Sequence, residues 1–89
     1  MRLTDSTVIA DINATVGYLQ SHNSVDPAQI GIVGFCMGGR AVYLMSAVNS
    51  DIKAGVMYYG GDTFHAWGGG PSPFERTAQI HCPIMGHFG

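Results

Sequence analysis

Ile30-Gly31-Ile32-Val33-Gly34-Phe35-Cys36-Met37-Gly38-Gly39 is a short apolar, β-branched run that ends in Gly-x-Cys-x-Gly, and a helical pattern starts straight afterwards. That is the layout of a nucleophile elbow with cysteine in place of the more usual serine. A strand turning this sharply into a helix forces its central residue into a strained backbone conformation. Gly34 and Gly38 carry no side chain, so the backbones on either side can pass close together. The helix behind directs its positive end at the sulfur. Cys36 is therefore the candidate nucleophile, with a buried structural cysteine in an ordinary strand-to-helix turn as the plainer alternative.

Phosphate-binding turns are excluded by spacing. A dinucleotide fingerprint needs a second glycine two residues after the first, and Phe35-Cys36-Met37 fills that crest. A P-loop needs Gly-Lys-Ser/Thr, which does not follow.

Of the 89 residues 46% are apolar and only 11% charged, more like the interior of a larger protein than a complete small domain. The net charge of −2, with no basic patch, argues against a nucleic-acid partner. Apolar runs fall far short of the ~20 residues that span a bilayer. Met1-Arg2-Leu3-Thr4-Asp5 shows no targeting signal. Cys36 and Cys82 match no zinc spacing, and no cofactor motif is present. At opposite ends of parallel strands the two sulfurs are too far apart for a disulfide. Free thiols suit a cytoplasmic protein.

Asp5 or Ser6 is expected to cap a first helix that ends between Gln20 and His22, with Val8, Ile9, Ile12, Val16 and Leu19 on one face. Asp26-Pro27 caps a single turn before the strand Ile30 to Phe35. A second helix spans Met37 to Val48 and stops at Asn49. Lys53 to Tyr59 reads as a second strand, Phe74 to Ala78 as one helical turn, and Pro83 to Phe88 as a third strand. The alternating order implies an α/β fold with a parallel sheet. If the strands lie in sequential order, right-handed crossovers place the connecting helices on one face, leaving the other bare. Strands apolar on both faces expect cover on both. The chain thus reads as a partial domain, residues 1–89: a strand-turn-helix unit and the two strands that follow.

Gly34-Phe35-Cys36-Met37-Gly38-Gly39-Arg40, Tyr58-Tyr59-Gly60 and Cys82-Pro83-Ile84-Met85-Gly86-His87-Phe88-Gly89 resemble the central stretch of the dienelactone hydrolase family. The resemblance covers essentially the whole chain, most specifically residues 30–60 and 82–89. It implies an α/β-hydrolase fold and carboxylic-ester hydrolysis of lactones or small esters through a Cys-His-Asp triad. Cys36 would be the nucleophile, forming an acyl-thioester, and the Met37 backbone N–H part of the oxyanion hole. The resemblance places the triad acid and base beyond Gly89. It places the second oxyanion donor, and a glutamate that meets the resting thiol, upstream. The chain by itself is accordingly expected to be nearly inactive.

Other residues keep two readings. His65 is the one histidine on the same sheet edge as Cys36, and a solvated or stacked role is its ordinary alternative. Asp62 follows the strand beside the elbow strand, where some related hydrolases place their acid. Arg40 either pairs with a carboxylate or is solvated. Tyr58 and Tyr59 point to opposite faces, so one can line a pocket. The alternative to an enzyme is a catalytically incomplete short protein whose bare face and unpaired sheet edges bind a partner or a second copy.

Overall fold

The computed structural model describes residues 4–88, in the order α1 (Asp5–Gln20), β1 (Ile30–Phe35), α2 (Met37–Val48), β2 (Ile52–Tyr58), a 3-10 helix (Phe74–Gln79) and β3 (Ile84–His87). Met1, Arg2, Leu3 and Gly89, on which part of the targeting-signal reading and the end of the third motif fall, lie outside the described residues. The architecture is α/β: a parallel sheet in the order β1-β2-β3 with flanking helices.

Thr4, rather than Asp5 or Ser6, caps α1. Its hydroxyl accepts from the Thr7 N–H, and the Thr7 hydroxyl lies 3.2 Å from the Thr4 N–H. Asp5 is unavailable for that task because its carboxylate is drawn inward and buried. Val16 seals one end of the core against Ile30, Met45 and Ile52, with Ile9, Ile12 and Leu19 beside it.

α2 lies deepest. Val42, Leu44, Met45 and Ser46 are almost wholly buried, because the sheet, α1 and the 3-10 helix enclose the helix. A β-carbon on Gly55 would stand 2.9 Å from the Ser46 hydroxyl oxygen and 3.0 Å from Val42, so α2 rides directly on β2. β2 runs one residue earlier than the composition suggests. Ile52 pairs with Ile30, while Tyr59 leaves the strand at φ 38°. Ser72 and Glu75 exchange bonds across the start of the 3-10 helix, from the Ser72 N–H to Glu75 and from the Glu75 N–H to the Ser72 hydroxyl.

The sequential strand order leaves one sheet face uncovered among the described residues, with Val33, Phe35 and Met85 each more than half exposed. On that face Phe35, Tyr58 and His87 sit in register and stack at 4.7 and 5.0 Å.

Arg40, one turn into α2, joins the segments that surround the start of the helix. The residue is 1% exposed, and its guanidinium donates to both Asp5 carboxylate oxygens, at 2.6 and 3.3 Å. It also donates to the carbonyls of Asp62, at 2.9 Å, and His65, at 2.6 Å. The Trp67 ring lies 3.8 Å from its central carbon, and Asp5 accepts from the Trp67 N–H at 3.0 Å. The carboxylate reading of Arg40 therefore holds over the solvated one. Removing one partner of a buried ion pair strands the other charge, at a cost of about 3–5 kcal/mol. Asp5→Ala is expected to lose that much in urea unfolding, and a loss under about 1 kcal/mol would show that the pair does not organise these segments.

Candidate active site

Cys36 stands between β1 and α2 with φ 57° and ψ −119°, a conformation costly for any side-chain-bearing residue. Three contacts hold it there. Its N–H donates to the Tyr58 carbonyl at 2.9 Å, and its own carbonyl accepts from Gly39 and Arg40. A β-carbon on Gly34 would lie 2.3 Å from the Gly38 carbonyl oxygen, so only glycine lets the turn close. The Gly39 and Gly60 backbones also meet closely, with either added β-carbon 2.9 Å from the other residue.

The thiol is exposed and free, at the positive end of a twelve-residue helix. The opening N–H groups of a helix have no intrahelical acceptor. Those of Gly39 and Arg40 turn back to the Cys36 carbonyl. Met37 heads the helix, so its amide has no intrahelical acceptor. Cys36 and Met37 thus come together at one wall of a cleft of about 350 Å³, whose other walls include Tyr59, Asp62 and Trp67. A larger hollow of about 490 Å³ lies between α2 and β3, lined by Tyr43, Met57, Phe64 and Phe74, and meets the cleft only at Gly61 and Asp62. No cysteine lines it.

Asp62 brings a carboxylate into the cysteine cleft. One oxygen is 2.7 Å from His65 Nδ1 and the other accepts from Trp67 Nε1 at 2.9 Å. These two donors, Trp67 first, hold the Asp62 carboxyl below its ordinary value. His65 itself points outward, with a side chain 79% exposed, and does not line the cleft. His87 stacks on Tyr58 on the uncovered sheet face. His22 accepts from the Ser24 N–H beyond the end of α1, and His81 lies near the Gln79 carbonyl. Tyr59 is the tyrosine that reaches the cleft, while Tyr58 packs between Phe35 and His87. Among the described residues no group of three or more His, Cys, Asp or Glu side chains gathers as a metal site. No helix among them is long and apolar enough to cross a membrane.

The dienelactone hydrolase family profile matches residues 1–89. A Methylorubrum extorquens protein provisionally named a carboxymethylenebutenolidase is 34% identical over 99% of this chain and 31% of its own length. A Synechocystis protein with the same provisional name is 33% identical over 99% of this chain and 37% of its own. A Bradyrhizobium protein, provisionally a 2-oxo-3-(5-oxofuran-2-ylidene)propanoate lactonase, is 35% identical over 98% of this chain and 36% of its own. The chain thus spans about a third of the length of these relatives. No solved structure matches it significantly.

Because its folded-state pKa is lowered, Asp62 adds to the tethering of its loop above the ordinary carboxyl value and loses that contribution as pH falls through the lowered one. Trp67 is the chain's single tryptophan and reports the bond directly. An acid titration of its fluorescence is expected to show a midpoint below 3.8 that disappears in Asp62→Asn, and a midpoint at or above 3.8 would refute the tether.

Proposed function

Because the chain belongs to the dienelactone hydrolase family, we propose that it carries the nucleophile and half of the oxyanion site of a hydrolase for lactones or small esters. The observation that carries this reading is Cys36 at positive φ, exposed at the head of α2 beside the Met37 amide. The Cys36 thiolate attacks the carbonyl carbon, and the electron pair moves to the carbonyl oxygen, which accepts from Met37 N–H and a second donor. Collapse breaks the carbon–oxygen single bond and leaves an acyl-thioester, with the alkoxide still tethered when the substrate is a lactone. Water then cleaves the thioester and returns the thiol. The reading assigns the acid and base of the triad to sequence beyond Gly89, so residues 1–89 alone would acylate and turn over slowly. An oxyanion donor is typically worth about 3–4 kcal/mol of barrier.

The exposed row of Val33, Phe35 and Met85 favours the second reading, a chain that binds a partner or a copy of itself. Acyl trapping separates the two. With an activated acetate ester, peptide mass spectrometry is expected to find the acetyl group on Cys36 well before Cys82, with Cys36→Ala leaving that segment unmodified. Equal labelling of the two cysteines would overturn the hydrolase reading.

A further inference from the structure

Trp67 is fastened at backbone and side chain alike. Its N–H donates to the Asp5 carboxylate at 3.0 Å, and its carbonyl accepts from the Asp5 N–H at 2.8 Å. The indole N–H donates to Asp62 at 2.9 Å, and the Arg40 guanidinium covers one face of the ring at 3.8 Å. Gly68, at φ 90°, follows close against Thr4, where an added β-carbon would stand 3.3 Å from the Thr4 β-carbon. Each of these partners belongs to the head of α1, to α2 or to the loop itself, so contacts among the described residues set the position of the ring. Half-buried, the ring also borders the cleft that holds Cys36. One face lies under the cation and the N–H is already bonded. What remains for the cleft is the other face and its edge, flat, apolar and without a free donor.

We propose that Trp67 is a specificity-determining residue, whose uncovered face is the platform on which a flat acyl group lies while Cys36 attacks its carbonyl. The role in acyl transfer rests on the hydrolase reading of Cys36, whereas the platform does not. Flat π groups gain from offset stacking on an indole beyond the area they bury, and puckered saturated groups of equal size do not. An indole already fixed by its neighbours loses little further freedom when a ligand lies on it, so more of that gain reaches binding.

Two acylating agents with the same leaving group and carbon number read the platform at the sulfur: flat benzoyl imidazole and puckered cyclohexanecarbonyl imidazole. Their rate ratio at Cys36, resolved from Cys82 by peptide mapping, is measured in the folded chain and in the same chain unfolded in urea. Folding is expected to raise the preference for the benzoyl group at Cys36 about fivefold. In the folded Trp67→Leu chain it should return to the unfolded value, while Trp67→Phe, which still offers a flat face, should keep most of it. A folded ratio equal to the unfolded one, or unchanged by Trp67→Leu, overturns the inference and leaves the hydrolase reading of Cys36 intact. Benzamide, which cannot acylate, reads the platform without the chemistry. It should move the Trp67 ring protons upfield in NMR spectra, and cyclohexanecarboxamide should not. Those shifts in a chain whose Cys36 does not acylate support the platform and sink only the hydrolase reading, whereas their absence overturns the platform.

Discussion

Arg40 and Asp5 are separated by thirty-five positions, yet their ion pair is the point on which the neighbourhood of Cys36 depends. α1 begins at Asp5, α2 begins three residues before Arg40, and the loop through His65 and Trp67 hangs on the same guanidinium. Five donors in a rigid fork suit arginine to this task, whereas lysine would satisfy only part of it. The geometry makes burial tolerable, because carboxylate, two backbone carbonyls and an indole face together occupy the cation. An organiser of this kind sits behind the reactive residue and fixes the wall that faces it.

Strain is concentrated one turn away. Cys36 remains at positive φ because close backbone approaches leave it no alternative, Gly34 against Gly38 and Gly39 against Gly60. The first closes the turn itself, and the second presses α2 onto the end of β2. The exposed thiol at the head of α2 follows from that closure. The same closeness explains why the loop after β2, rather than a remote segment, supplies Asp62 to the cleft.

Much of this was legible in the amino-acid order because it is local. β1 and α2 match their expected spans, since β-branched alternation, glycine spacing and the Asn49 stop all act within a few residues. The bare sheet face followed from crossover handedness once the strands lie in sequential order, as they do. Asp5 as a cap was not correct, because a partner far along the chain outcompetes the local bond. The state of Arg40 stayed open for the same reason, and its position one turn behind Cys36 in a chain with few charges was the available signal. The grouping of Asp62, His65 and Trp67 around one carboxylate depends on how a glycine-rich loop folds back, with Asp62 itself at φ 56°. No periodicity encodes that.

The proposed hydrolysis rests on one sulfur and one amide. A trifluoromethyl ketone adds to a reactive thiolate and forms a tetrahedral adduct with an oxyanion, which nitrogen–proton NMR can follow residue by residue. The ketone is expected to bond to Cys36, with the Met37 amide proton moving strongly downfield as the oxygen accepts from it. An adduct on Cys36 that leaves the Met37 resonance in place would contradict it.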